Sequence, residues 1–153
     1  MPRKLVEEGN ELHLLDNISG DILVLYYRLP STRERVAYDN EMFQRRGRAL
    51  DVRVGETRLK YGQAILTGIR EGDFVLPADG REAAVASDPE SEHFRADWKD
   101  LIVRYAGDLV GALGRIVFEE SARQIPAALA GGLDGSGAAD GDGDADGEDL
   151  EKN

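Results

Sequence analysis

Asp21-Ile-Leu-Val-Leu-Tyr-Tyr-Arg-Leu29, followed at once by Pro30 and then Ser31-Thr-Arg-Glu34, is the stretch on which the fold turns. The first nine residues are rich in β-branched and aromatic side chains, and the proline forces its neighbour toward extended geometry, so they read as a strand. Ser31 and Glu34 have the spacing of a capping box, in which each side chain satisfies an orphan N–H of the other's turn, so a helix is predicted from Thr32. A strand handing over directly to a capped helix predicts a mixed α+β chain.

That helix is predicted to run to Arg46 and to stop at Gly47, because glycine accepts the left-handed geometry that ends helices. Its apolar residues Val36, Ala37, Tyr38, Met42 and Phe43 cover a broad arc rather than a narrow stripe. An arc wider than one core needs predicts contact with a partner. The arginines that follow, Arg45, Arg46 and Arg48, suit either bidentate capture of a carboxylate or phosphate or simple complementation of the helix dipole. Val36, Tyr38, Met42, Phe43, Arg45, Arg46 and Arg48 are therefore the candidate partner-binding residues.

Downstream, Ala49–Val54 alternates apolar and polar residues at the period of a half-buried strand. From Glu56 to Arg70 the residues Leu59, Tyr61, Ile65, Leu66 and Ile69 recur at helical spacing, which predicts a second helix ending before Gly72. Asp73–Leu76 and Glu82–Ala86 flank the turn-prone Pro77-Ala-Asp-Gly80 and predict a hairpin. From about Asp97, the residues Trp98, Leu101, Ile102, Tyr105, Leu109, Ala112, Leu113, Ile116 and Val117 follow three-and-four spacing, the pattern of a buried helical face. Gly107 should divide that face into two helices, and Phe118–Leu133 is a weaker helical stretch interrupted at Pro126. Upstream, Glu11–Asp16 reads as a short strand or one helical turn ahead of a turn at Asn17–Gly20. The expected fold is α+β and mostly helical, with small N-terminal and central β elements, three to five helices and a disordered acidic C-terminal tail.

The tail, Asp134–Asn153, holds eight acids against Lys152 alone, a charge of −7 out of the chain's −11. Its Asp, Gly and Ala residues cannot offset about 1–2 kcal/mol per residue of backbone ordering, so disorder is predicted. Residues 1–133 are then a single globular domain and 134–153 an appendage. Ser31–Lys60 runs the other way, with eight bases and five acids.

With no cysteine in the chain, disulfides and thiolate metal sites are excluded. The longest apolar run, Ile22–Tyr27, is far short of the roughly 20 residues a membrane helix requires, and no apolar signal core follows the first basic residues. A soluble protein of the cytoplasm, without membrane partners, is expected. The acidic balance also argues against direct nucleic-acid binding, which draws on cations that neutralise phosphate.

Chemistry-bearing motifs are sparse. Asp140, Asp142, Asp144 and Glu151 fall at calcium-loop positions, but Ala145 and Gly147 break the pattern, so a solvated tail is the preferred reading. His13 and His93 have no ligand spacing. The serines sit in capping, loop or helix contexts without a nucleophile elbow. Gly107, Gly111 and Gly114 lack the context of a phosphate cradle and suit close helix packing instead. The paired acids Glu7–Glu8 and Glu119–Glu120 read as a solvated face. No catalytic, cofactor-binding or metal residue is predicted, and the expectation is a protein that is not an enzyme.

Tyr26-Tyr-Arg-Leu-Pro-Ser-Thr-Arg-Glu-Arg-Val-Ala-Tyr38, Arg45-Arg-Gly47 and Arg58-Leu-Lys-Tyr-Gly-Gln-Ala-Ile-Leu-Thr-Gly-Ile-Arg-Glu-Gly-Asp-Phe74 resemble small proteins of tailed-phage and prophage tail gene clusters. Ser87-Asp-Pro89 and Asp97-Trp-Lys-Asp-Leu-Ile102 fit the same resemblance, which leaves the tail outside it. Such proteins resemble tail assembly chaperones. The resemblance implies a mostly helical, non-enzymatic factor that binds a tape-measure or tail-tube protein in the host cytoplasm, with self-association among its expected contacts. Two other functions fit the residues: a structural virion component of the head–tail junction or tail, and an acidic mimic of nucleic acid that works through the tail charge.

Overall fold

A computed structural model describes residues 2–5, 8–46, 49–120 and 126–127. The chain divides into two compact units, Met1–Ser121 and Ala122–Asn153, and every element below belongs to the first. The acidic tail and most of the helix predicted over Phe118–Leu133 lie outside the described residues.

In chain order the elements are β1 (Asn10–Leu15), β2 (Ile22–Tyr27), α1 (Thr32–Met42), β3 (Phe43–Arg46), β4 (Ala49–Val52), α2 (Val54–Ile65), β5 (Leu66–Ile69), β6 (Val75–Ala78), β7 (Arg81–Ala84), α3 (Trp98–Tyr105) and α4 (Gly107–Glu119). The mixed α+β class holds, with four helices among the described residues. The strands form one three-stranded antiparallel sheet, ordered β1-β2-β5, and two separate hairpins, β3-β4 and β6-β7. No helix of the described residues is long and apolar enough to cross a membrane.

The strand-to-helix handover at Pro30 is present as predicted. Ser31 Oγ accepts the Glu34 N–H at 3.2 Å, and the Glu34 carboxylate accepts the Ser31 N–H at 3.1 Å. Glu34 also takes both arms of Arg28, at 2.7 and 2.9 Å, and Arg28 donates onward to the Ala64 carbonyl at 3.3 Å. The Arg28–Glu34 pair thus ties the end of β2 to the start of α1 and to the last turn of α2. The Arg28 guanidinium holds the Glu34 carboxyl down at about 2.

Two predicted helices are shorter than their periodicity suggested. The first ends at Met42, not Arg46, because Phe43–Arg46 pairs with Ala49–Val52, Phe43 opposite Val52 and Arg46 opposite Ala49. The second ends at Ile65, and Leu66–Ile69 becomes β5, the second neighbour of β2. Leu66 and Ile69 satisfy the helical spacing and the strand face equally well, so long-range pairing decides between them.

One face of the sheet carries Leu12 and Leu14 of β1, Leu23 and Leu25 of β2, and Leu66 and Ile69 of β5 toward the helices. The centre of the packing is the contact of α2 with α4. Gly62 faces the Val110 carbonyl and Gly114 faces the Arg58 carbonyl so closely that a methyl group on either would enter the opposite main chain. The prediction of close helix packing therefore applies to Gly114, while Gly107 only brushes Leu59 and Gly111 faces open space. Beside this contact Tyr38 stacks on Phe118 with centroids 4.7 Å apart, and Tyr61 meets both rings edge-on.

Candidate functional site

Of the predicted partner-binding residues, two are core. Tyr38 is 1% exposed and Met42 is buried with it. Tyr38 is inside because its phenol has a partner there: it donates to the Glu119 carboxylate, which Arg58 grips with two bonds of 2.8 Å. Burial and that carboxylate push the Tyr38 hydroxyl far above its ordinary range. Glu119, read as part of a solvated face, is instead the polar lid of the aromatic cluster. Arg45 and Arg46 lie on β3 rather than at a helix end, which removes the dipole argument made for them, and Arg48 lies outside the described residues. Val36 and Phe43 are exposed as expected, at 54% and 60%.

The other residues singled out in the sequence do not converge. His13 pairs with Glu11 at 3.1 Å and His93 with Glu92 at 3.2 Å, both on the surface. Ser31 caps α1, Ser87 bonds β5 and Ser91 donates to Glu71. No group of three His, Asp or Glu among the described residues could hold a metal ion.

A surface absent from the sequence reading lies at the tip of the β1–β2 hairpin. Leu15 and Ile22 are cross-strand partners there, and Leu15, Ile18 and Ile22 are 67%, 89% and 55% exposed. The tip is built, not frayed. The Asp16 carboxylate accepts the N–H groups of Ser19 at 3.0 Å and Ile18 at 3.3 Å, the Asp16 N–H donates to the Asp21 carbonyl at 2.9 Å, and Gly20 supplies the positive φ of 79° that closes the turn. The bonds from Ser19 and Ile18 hold the Asp16 carboxyl below its ordinary range. Ile18 is thereby presented to solvent by a turn that satisfies its own main chain. Such contiguous exposed apolar groups mark interaction sites more often than isolated ones do.

The tip opens onto a groove of about 640 Å³ lined by Asp21, Ile22, Arg70, Asp73, Val75 and Glu82 among others. Its apolar walls, Ile22 and Val75, sit among three acids, and Arg70 is committed to Asp73 at 3.0 Å. The rim is therefore net acidic. A partner with apolar anchors flanked by basic residues matches it. The turn predicted at Asn17–Gly20 was the sequence signal for this tip, and a turn prediction alone says nothing of what the turn exposes.

No protein-family model matches the chain, and no curated protein or solved structure does either.

Proposed function

We propose that the protein is an assembly factor of a phage tail, a chaperone that binds a tape-measure or tail-tube protein through exposed apolar surface. The observation that carries this reading is the hairpin tip. Leu15, Ile18 and Ile22 stand in water on a turn held by Asp16, although the core beside them is closed and leaves no buried side-chain polar atom unpartnered among the described residues. The fold has no need of these side chains outside, so a binding role accounts for them. The acid-rimmed groove beneath the tip favours a partner segment that is an amphipathic helix with basic flanks. The phage assignment itself comes from the resemblance of Tyr26–Ile102 to tail-cluster proteins.

Co-expression of the full chain with a tape-measure protein from the same gene neighbourhood tests the reading. The expected result is a soluble complex that is lost when Leu15→Asp and Ile18→Asp are combined, with the fold of the variant intact by circular dichroism. A partner equally soluble without this protein, or a complex indifferent to the tip variant, overturns it. A structural virion component is the second reading, favoured by a strand edge, that of β1, with no further strand paired to it among the described residues; mass spectrometry of purified particles separates the two, since a chaperone leaves and a structural protein stays.

A further inference from the structure

The two edges of the three-stranded sheet differ. At the β5 edge, Ser87 Oγ accepts the outward N–H of Ile69 at 2.9 Å and donates to its carbonyl at 3.3 Å. The register of β2 with β5 is also broken by a bulge at Thr67. At the β1 edge no further strand pairs among the described residues. β1 carries no proline, lysine or bulge, the usual devices that blunt an edge, and keeps unbroken register with β2 over all six residues.

The hydrogen-bond parity shows what this edge presents. Arg70 N–H donates to the Val24 carbonyl and Val24 N–H to Asp73, so the main-chain groups of Val24 point toward β5. Leu23 and Leu25 must then point toward β1, and their partners Leu14 and Leu12 toward β2. The main-chain N–H and C=O groups of Glu11, His13 and Leu15 consequently point outward. The side chains of Glu11 and His13 lie on the exposed face, 52% and 57% accessible, while Leu12 and Leu14 lean on the core.

We propose that β1 pairs with β1 of a second copy, antiparallel about a twofold axis through Leu12, to make a continuous six-stranded sheet. Two arguments select this occupant and register. Keeping Leu12 and Leu14 on the core face of both copies requires the twofold to pass through a residue and not between two, because a slip of one residue exchanges the faces. An axis through Leu12 places Glu11 of each copy opposite the partner copy's imidazole at position 13, twice, with those residues exchanging main-chain hydrogen bonds. An axis through His13 would set two imidazoles against each other and Glu11 against Leu15. Only the first of these two arrangements sets a carboxylate against an imidazole at both symmetric positions.

The chain has no cysteine, so single cysteines report the register cleanly. With the axis through Leu12, that residue faces its own copy as a non-hydrogen-bonded pair with Cα atoms about 4.5 Å apart, within disulfide range. Two copies of residue 13 are offset along the strands, beyond that range. The experiment is sedimentation equilibrium of the full chain over the micromolar range, with mild oxidation of Leu12→Cys and His13→Cys. A dimer, with crosslinking of the first variant and not the second, is expected. His13→Glu should raise the dissociation constant about three- to tenfold by opposing like charges at two symmetric positions. Glu11→Lys combined with His13→Glu should restore it. A monomer throughout, crosslinking at position 13 in place of 12, or a dimer indifferent to His13→Glu overturns the proposal. All these measurements use the purified protein alone, so they stand or fall independently of the tape-measure partner.

Discussion

Among the described residues the β5 edge of the sheet is guarded and the β1 edge is open, and the difference lies in where polar side chains have been recruited. Along β5, and where it ends, side chains bond several main-chain groups that lack a strand neighbour. Ser87 bonds Ile69, while Asp73 takes the Val24 N–H at 2.8 Å and Arg70 reaches the Ile22 carbonyl at 2.9 Å, where β5 is too short to continue. At the opposite end Arg28 and Glu34 close the gap to Ala64. Along β1 the polar side chains, Glu11 and His13, bond each other and leave the main chain alone. A fold that needed only stability would treat both edges alike. That contrast is what the proposed pairing of β1 with a second copy rests on.

The sharpest way to break the contrast is Asp73→Ala. Val24 is 1% exposed, so its N–H would be left without a partner or water. A loss of about 3 kcal/mol of unfolding free energy is expected, read by urea denaturation. A loss under about 0.5 kcal/mol would mean that the guard is decorative.

Acidification probes the other end of the same edge. Glu34 titrates at about 2 in the fold, against an ordinary 4.5. Because its folded value is depressed, its stabilisation is complete above pH 4.5 and is lost as the pH falls through about 2. Wild type should therefore lose about 2 kcal/mol more than Glu34→Gln across that window, the worth of hydrogen bonds to a charged group. Parallel pH profiles of the two proteins would remove Glu34 as the clasp.

The smallest effects compare single hydroxyl and surface changes. Ser87→Ala should cost about 1 kcal/mol, since it frees the Ile69 N–H. Glu11→Ala and His13→Ala should each stay within about 0.5 kcal/mol when measured on the dilute monomer. Thermal unfolding at low protein concentration checks all three, and equal losses at both edges would erase the distinction.

Much of this architecture was legible in the residues. The Pro30 boundary, the Ser31–Glu34 box, the division at Gly107 and the β6–β7 hairpin follow from local rules, although the predicted turn Pro77–Gly80 is only Asp79-Gly80, with Pro77 and Ala78 paired in β6; local rules suffice where an element is stabilised by its own neighbours. What failed was long-range. β5 and β3 exist because β2 and β4 needed partners, and Leu66–Ile69 and Phe43–Arg46 carry apolar spacing that a helix would also accept. The candidate site was less visible still. Val36 and Phe43 lie at the surface, but Tyr38 and Met42 are in the core, where the phenol can be buried because Glu119, far away in sequence, accepts its hydrogen bond. Leu15, Ile18 and Ile22 look like ordinary core residues on paper, and only the folded hairpin shows that its tip leaves them exposed.

The meeting of Gly62 with Gly114 also offers a key for tracing descent. Where two main chains touch with no side chain between them, neither position can drift alone, and an enlargement at one must be answered by a shift of the whole helix or by loss of the protein. Distant kin whose surfaces have changed past recognition should still carry this linked pair of smallest residues, one in each of two helical segments, and that couplet can be sought where overall likeness has faded.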